Sequence, residues 1–327
     1  MEVCLAQNDS NTHPPKSQPS LPGLALDQWQ DTLTTLHLWT QIVGKVRLAL
    51  SPMMNHWWQV PLYVTPRGLT TSPMPSHGEI LQIDFDFIAH QLQLQSSSGE
   101  TRLIPLQGHS VASLYGDLMA GLHALGEDVK IWTVPVEIEE QIPFEQDDQH
   151  ATYDPEAAYR FWRVLMQVDR VMKVFRGRFC GKASPVHFFW GSFDLTTTRF
   201  CGRAAPPNEN AFHVAPYVMQ EAYVDECSSC GFWPGQGLGE PAFYAYHYPE
   251  PQGYSNASVQ PAQAYYHPTF REFMLPYEAI RQRPDWESTL LSFFQSTYAA
   301  GANLAHWDRA VVEQSFLIKP VDLEGED

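Results

Sequence analysis

The residues best suited to acid–base chemistry lie between positions 187 and 226. His187 belongs to an apolar segment, 186–193, that we predict to be a strand with apolar side chains on both faces. A histidine buried there must find a hydrogen-bond partner, and it serves either as a general base, as a ligand or as a satisfied core residue. Asp194 follows directly, and a Glu226 with a raised pKa beside His187 would complete an acid–base pair. We therefore take His187, Glu226 and Asp194 as the candidate catalytic residues.

Two arginines in the same region, Arg199 and Arg203, are suited to binding an anion. They are four residues apart, and guanidinium groups match the geometry of carboxylates and phosphates. In so acidic a chain, internal pairing with Glu221, Asp225 or Glu226 explains them equally well. The pattern thus indicates either a site for a small anionic or polar molecule or a set of structural ion pairs.

Aromatic residues and a glycine-rich loop suggest the walls of a binding site. Trp233 precedes residues 235–239, which we interpret as a flexible loop over a pocket because no helix follows it. A strand predicted over 57–64, opened by His56, places His56 and Trp58 on one face, and an aromatic ring beside an imidazole is a frequent ligand platform. The candidate ligand-binding residues are Arg199, Arg203, Trp58, Trp233, His56 and Arg67.

Cys227 and Cys230 have the C-x-x-C spacing of a redox motif or of half a zinc site. No second pair of this kind, no H-x-x-x-H companion and no strand-to-helix context accompanies them. We therefore predict no metal site and interpret them as two thiols near a strand end. The sequence also lacks a Walker loop, a dinucleotide fingerprint and a G-x-S-x-G elbow, so any cofactor remains unknown.

Composition and charge limit the class of protein. The chain has 327 residues, of which 44% are hydrophobic and 17% charged, enough to bury one large or two medium cores. Its 37 acidic and 20 basic residues give a formal net charge of −17, which repels nucleic acids and anionic lipid surfaces. No apolar run approaches the roughly 20 residues of a membrane helix, and the polar N-terminus is unlike a signal peptide. We expect a cytoplasmic protein that binds neither nucleic acid nor membrane.

An internal repeat organises the predicted elements. Residues 60–72 align without a gap on residues 186–198, an offset of 126, and each segment is typical of a strand, a turn and a second strand. An amphipathic helix precedes each copy, and a β-rich segment with another helix follows it. Strands are also predicted over 130–138 and 217–227. We predict an α+β fold of two tandem diverged repeats, each with an amphipathic helix, an antiparallel β-sheet and a second helix.

The predicted domain boundaries follow from this repeat. Residues 139–153 are acidic and lack helical or strand periodicity, so we interpret them as a linker. The first repeat then covers 27–138 and the second covers 154–316. We expect residues 1–26 to form a disordered arm and residues 317–327 a mobile acidic tail.

Four aromatic-rich runs resemble a known bacterial family. They are LHLWTQIVGK at 36–45, HWWQV at 56–60, SPVHFFWGSFDL at 184–195 and GFWPG at 231–235. The chain is similar to domain of unknown function 5996 over nearly everything from residue 29 to residue 307. The resemblance implies a single-family protein, and it brings no activity, cofactor or catalytic residue with it.

Three functional hypotheses follow. In the first, the protein binds a small polar or anionic molecule within or between the repeats, either as a binding protein or as an enzyme that uses acid–base chemistry. In the second, it is a non-catalytic interaction or scaffold module. The third is a thiol-metal or redox protein. The second hypothesis predicts an exposed aromatic patch formed by Phe243, Tyr244, Tyr246, Tyr265 and Tyr266.

Overall fold

A computed structural model describes residues 20–208 and 214–313 of the chain. The helices in these residues are α1 (Gln30–Leu50), α2 (Val111–Ala124), α3 (Pro155–Gly177), α4 (Pro216–Ala222), α5 (Trp286–Leu304) and α6 (Arg309–Val312). The strands are β1 (Tyr63–Val64), β2 (Gly68–Thr70), β3 (Met74–Ser76), β4 (Glu79–Asp86), β5 (Gln91–Ser96), β6 (Thr101–Pro105), β7 (His187–Phe189), β8 (Asp194–Ala204), β9 (Asp225–Trp233), β10 (Ala242–Tyr248), β11 (Tyr265–His267) and β12 (Glu272–Pro276). The expected acidic tail, 317–327, and residues 1–19 of the expected arm lie outside the described residues.

The strands form two antiparallel sheets, which confirms the predicted α+β class. The first sheet has the order β1-β2-β4-β5-β6, with β3 paired to β4, and the second has the order β11-β12-β10-β9-β8-β7. The sheets meet where Leu62 and Phe188 exchange two backbone hydrogen bonds of 2.9 and 2.8 Å. Buried side chains from both halves belong to one continuous hydrophobic core. Phe144, within residues 139–153, is part of that core.

Helix boundaries follow local capping signals. Asp154 caps α3 by accepting a hydrogen bond from the Glu156 amide at 2.9 Å, and Pro155 occupies the first turn, as the sequence predicts. Ser110 caps α2 in the same way, accepting from the Ser113 amide. Helix α5 begins at Trp286 without a side-chain cap. The starts of α2 and α3 are therefore marked by residues that are neighbours in the sequence.

The predicted strand over 57–64 is wrong over most of its length, because only Leu62, in an isolated bridge, and Tyr63–Val64 pair with other strands. Residues Asn55–Trp57 form a 3-10 helix, and His56 and Trp57 have φ values of 56° and 61°, which a strand does not allow. Tertiary contacts hold this conformation. The His56 amide donates to Glu221 Oε1 and Trp57 Nε1 donates to the Val218 carbonyl, both at 3.0 Å.

The predicted strands over 217–227 and 130–138 are also corrected. Pro216 starts helix α4, and the sheet resumes only at Asp225. Residues 130–138 contain no strand, since α1 supplies the hydrogen bonds that a neighbouring strand would supply. Gln41 accepts from the Val136 amide and donates to its carbonyl at 2.9 and 2.8 Å. Lys45 Nζ donates to the carbonyl of Trp132 at 3.0 Å.

Candidate functional site

A cavity of about 180 Å³ lies on one face of the second sheet. Alternate residues of β8 and β9 point into it, while the residues between them face helices α3 and α5. Its lining is mainly aromatic rings and hydroxyl groups, with one carboxylate. The lining residues are His56, Trp58, Phe189, Ser192, Asp194, Thr196, Thr198, Phe200, Ala222, Tyr223, Cys227, Ser229, Tyr244 and Tyr246.

Asp194 is the acidic group of the cavity and is 7% exposed. Ser192 Oγ donates a hydrogen bond to one carboxylate oxygen, and the Tyr244 hydroxyl donates to the other. Burial raises the pKa of Asp194, and these two hydrogen bonds oppose that rise. The cavity lining that the structure describes contains no lysine or arginine. The carboxylate is therefore held by neutral donors alone.

A strained residue fixes the start of β8. Phe193 has a φ of 60°, a left-handed conformation that costs a bulky residue about 1–2 kcal/mol. Its buried ring stacks on Phe161 at 5.2 Å and meets Phe188 edge-on at 5.1 Å. Its amide donates to the carbonyl of Phe189 at 2.8 Å. Core packing thus offsets the strain and sets the position of Asp194, the next residue.

Gly231 allows Tyr244 to reach Asp194. A Cβ atom at position 231 would lie 2.5 Å from both the Tyr244 hydroxyl oxygen and the carbonyl oxygen of Leu195. Because the phenol ring lies across the backbone of β9, no larger residue fits there. Glycine at this position is therefore part of the support of the cavity.

Hydroxyl groups line the floor of the cavity. Ser229 Oγ lies 3.0 Å from both Thr196 Oγ1 and Thr198 Oγ1, and the hydroxyls of Tyr223 and Tyr246 are 2.8 Å apart. Burial raises the pKa of both tyrosines, so their phenols stay protonated at neutral pH. These groups can donate to or accept from a polar ligand.

Glu137 is a second carboxyl group close to Asp194. Its Oε1 lies 2.0 Å from where a Cβ of Gly191 would be, so its side chain rests on the loop that leads to β8. His37 Nε2 also holds this loop by donating to the Gly191 carbonyl at 2.8 Å. Burial and the charge of Asp194 raise the pKa of Glu137 to about 7. Burial and the same charge raise the pKa of Glu272, in β12, to about 8.

His56 presents a free nitrogen lone pair. Its Nδ1 donates to the Ala222 carbonyl at 3.1 Å, and its ring stacks on Phe200 at 4.3 Å and lies 5.2 Å from Trp58. Burial lowers the pKa of His56 below its ordinary value, so the imidazole is neutral at pH 7. Its buried Nε2 has no hydrogen-bond partner among the described residues and lies 3.9 Å from Asp225 Oδ2.

His187 lies behind the cavity wall rather than in it. It is fully buried, and it contacts the rings of Trp58 and Phe189, which do line the cavity. Burial lowers the pKa of His187 to about 3, so the ring is neutral. The structure does not bring it to Glu226, because Glu226 alternates with the cavity residue Cys227 and points to the opposite face of β9.

The predicted arginine pair and its carboxylate lie outside the cavity. Arg199 points to the helix side of β8, where it donates to the Phe175 carbonyl and lies 3.5 Å from that ring. Arg203 is largely exposed and forms a two-point ion pair with Glu226, at 3.1 and 2.5 Å. Trp307 Nε1 also donates to Glu226 at 3.1 Å. The internal pairing considered from the sequence thus holds for Arg203 and Glu226.

Of the other ligand-binding candidates, His56 and Trp58 line the cavity. Trp233 and Arg67 do not. Trp233, at the end of β9, contacts the Phe270 ring edge-on at 5.8 Å. Arg67 lies in the first half, where it is exposed and pairs with Asp86 at 2.7 Å. Together with Asp194, His56 and Trp58 are the predicted site residues that the cavity brings together.

The hypothesis of a non-catalytic interaction module predicts an exposed patch that includes Tyr244 and Tyr246, yet both line the cavity. Tyr244 is 8% exposed, and Phe243 is fully buried on the opposite face of β10. The alternation of tyrosines at 244, 246 and 248 was the signal that placed Tyr244 and Tyr246 on one face.

Cys227 and Cys230 do not face each other. Three residues apart in β9, they point to opposite faces, and burial raises the pKa of both thiols. In the described part of the chain, no group of three or more His, Cys, Asp or Glu side chains is arranged to hold a metal ion. The pair therefore lacks the geometry of a shared ligand set.

Comparison with known proteins gives one match. A model of a family of unknown function, DUF5996, matches residues 21–314. No curated protein and no solved structure matches the chain. Among the helices that the structure describes, none combines the length and apolar character needed to cross a bilayer. The chain belongs to the DUF5996 family, whose function is unknown.

Proposed function

We propose that the protein binds a small organic cation in the cavity of the second sheet. The observation that carries the proposal is the buried carboxylate of Asp194, which faces the cavity without any lysine or arginine among the described lining residues. A buried charge is stabilised by a proton or by an opposite charge. A cationic ligand supplies that charge from within the cavity.

The aromatic lining supports a cation over an anion. Six aromatic side chains other than histidine surround the cavity, and the faces of such rings attract ammonium groups. They are Trp58, Phe189, Phe200, Tyr223, Tyr244 and Tyr246. An anion would meet both the ring faces and Asp194 unfavourably. The anionic ligand considered from the sequence therefore does not suit this cavity.

Charge beyond the cavity supports the same ligand class. The charge of Asp194 raises the pKa of both Glu137 and Glu272, so further negative charge around the site is unfavourable, and a bound cation would relieve that repulsion. The formal net charge of −17 also favours the approach of cations. His56 is neutral at pH 7, so it adds no positive charge that would repel a cation.

The size of the cavity limits the ligand. At about 180 Å³ it is slightly larger than the ~150 Å³ cavity that accommodates benzene. A compact molecule such as choline or a small alkylamine falls in this range. Nucleotides and peptides do not.

The test is a calorimetric titration with choline and with 3,3-dimethyl-1-butanol, in which carbon replaces the charged nitrogen. The two molecules have the same shape, so the ratio of their dissociation constants measures recognition of the charge. We expect choline to bind at least about tenfold more tightly, which corresponds to about 1.4 kcal/mol. Equal affinities, or a preference for the alcohol, would contradict the proposal.

We also propose that the two halves are diverged copies of one unit. Each half has a long helix, a six-stranded antiparallel sheet and a second helix. Leu62 and Phe188, which the ungapped alignment makes equivalent, pair with each other, as positions beside a two-fold axis do. The last paired residues of the two hairpins, Val64 with Leu69 and Phe189 with Asp194, are 125 positions apart rather than 126, so divergence would include a one-residue shift. Superposing experimental structures of the halves tests the proposal, and a mismatch in strand order would contradict it.

A further inference from the structure

Two buried basic side chains at the junction of the two halves have polar atoms without partners. Arg47, near the end of α1, is 7% exposed, and His187, in β7, is fully buried. Within the described residues, Arg47 Nε and Nη1 and both ring nitrogens of His187 make no hydrogen bond. Because buried polar groups are almost always hydrogen-bonded, these four atoms need a partner that the described residues do not supply, either water or a ligand.

The two side chains belong to one cluster around Tyr63. The Arg47 guanidinium carbon lies 5.6 Å from the centre of the Tyr63 ring, and the His187 ring lies 5.5 Å from it, nearly perpendicular. The cluster is built from α1, β1 and β7. It therefore lies at the junction of the two halves, beside the bridge between Leu62 and Phe188.

The charges of this cluster favour an anion as the missing partner. Arg47 forms no ion pair with any carboxylate of the described chain, although acids outnumber bases 37 to 20 in the whole sequence. A second guanidinium, that of Arg176 on α3, also acts electrostatically on His187. Arg176 is fixed by donating to the Ser184 carbonyl at 2.6 Å. A buried guanidinium without a counter-charge is unfavourable, and an oxyanion can accept from its free N–H groups.

We propose that Arg47, His187 and Tyr63 form a binding subsite for a small oxyanion. The neutral imidazole donates one N–H to the anion, and Arg47 supplies the charge and two further N–H groups. Since Trp58 and Phe189 line the cavity and also contact His187, the oxyanion lies beside the cavity, at the edge formed by these two rings. It is either a free anion or the carboxylate of the cavity ligand. The second source rests on the proposed function, and it would make the ligand a zwitterion.

The first experiment uses free anions. Sodium acetate and sodium phosphate are titrated into the full-length protein at constant ionic strength, with chloride as the balancing anion. The imidazole resonances of His187 are followed by ¹H–¹⁵N NMR, and the thermal midpoint is measured in parallel. We expect saturable shifts of the His187 resonances and a midpoint that rises with anion concentration, because the anion binds the folded state.

Variants connect the response to Arg47. Arg47→Met should abolish the His187 shifts, and Arg47→Lys, which keeps the charge but loses the planar fork, should weaken anion binding at least about tenfold. The matched control is Arg67→Met, since Arg67 is exposed and paired with Asp86. It should leave the anion response unchanged. If Arg47→Met does not fold, the wild-type shifts and Arg47→Lys still decide the question.

The second experiment separates the two sources of the oxyanion. Glycine betaine carries the trimethylammonium group of choline together with a carboxylate. If the carboxylate belongs to the cavity ligand, betaine should bind at least about tenfold more tightly than choline, and Arg47→Lys should reduce that advantage. If the anion is free, acetate should shift His187 whether or not choline is bound, and betaine should have no advantage.

The inference is overturned if acetate, phosphate and betaine all leave the His187 resonances unchanged, or if Arg47→Met retains the full anion response. Choline binding that persists in either case leaves the proposed cation site standing. Loss of choline binding with a retained anion response rejects the cation site alone. The two proposals therefore fail separately.

Discussion

The two faces of strand β8 carry buried residues of opposite charge. On the cavity face, Asp194 is a buried acid held only by hydroxyl donors. On the helix face, Arg199 is a buried base without a carboxylate partner, and it stacks on Phe175 at 3.5 Å and on Tyr298 at 4.4 Å. The two residues are five positions apart, an odd number, so the strand places them on opposite faces. The aromatic side chains around Arg199 stabilise its charge. For Asp194, we propose that a cationic ligand has that role.

The largest effect should come from breaking the support of the acidic face. Gly231→Val places side-chain atoms where Tyr244 and the Leu195 carbonyl lie, so we expect about 3 kcal/mol of lost stability and weaker cation binding. Urea unfolding measures the stability change. The control is Gly116→Ala in α2, where a Cβ meets open space; it should stabilise by about 1 kcal/mol. If Gly231→Val has the stability and the cation affinity of the wild type, Tyr244 does not need glycine at position 231.

The second effect isolates the charge of Asp194. Asp194→Asn keeps the shape and removes the charge, so choline affinity should fall roughly tenfold to hundredfold while the affinity of 3,3-dimethyl-1-butanol changes little. Calorimetry on both ligands measures the difference. Parallel losses for the two ligands would mean that the residue shapes the cavity without recognising charge.

The third effect concerns pH. The pKa of Glu137 is raised from 4.5 to about 7, so between these values the folded protein keeps a proton that the unfolded chain has lost. The contribution of Glu137 to stability is thus complete below pH 4.5 and is lost as the pH rises through 7. Glu137→Gln removes this loss, so the free energy of unfolding of the variant should match that of wild type near pH 4 and exceed it by at least about 1 kcal/mol at pH 8. Denaturant unfolding at the two pH values measures it, and a constant difference would contradict the assignment.

The smallest effect should come from the basic face. Arg199→Met keeps the volume and removes a buried charge that has no carboxylate partner, so we expect a stability change within about 1 kcal/mol. Choline affinity should stay the same, because Arg199 points away from the cavity. If Arg199→Met loses as much choline affinity as Asp194→Asn, the helix face of β8 also determines choline binding, which contradicts the account.

Helices and regular strands could be predicted from the sequence because their signals are local. Asp154 and Pro155 mark the start of α3, and the alternation of Ile83 and Phe85 with polar residues is typical of a strand at β4. Residues 57–64 and 130–138 carry equally strong strand patterns, but α4 and α1 supply hydrogen bonds that hold them in other conformations. Those contacts join residues about 90 to 165 positions apart, and no local pattern contains them.

The candidate site was predictable only in part. Asp194, His56 and Trp58 were chosen by residue type, and the cavity brings them together. Arg199 is a candidate by residue type, but side chains alternate along β8, so Arg199 and Asp194 lie on opposite faces of the strand. Tyr244 and Tyr246 were identified as a patch, but only the pairing of β10 with β9 shows that they lie beside β8. Burial of Arg47 and His187 depends on the meeting of the two halves, which no single segment encodes.

The most direct test of the central claim is to locate the cation. Intermolecular nuclear Overhauser effects between the methyl protons of choline and assigned ring protons would identify the side chains that contact the ammonium group. We expect contacts with Trp58, Tyr244 and Tyr246, and their loss in Asp194→Asn. Contacts confined to aromatic residues outside the cavity, such as Trp132 or Tyr217, would contradict the account.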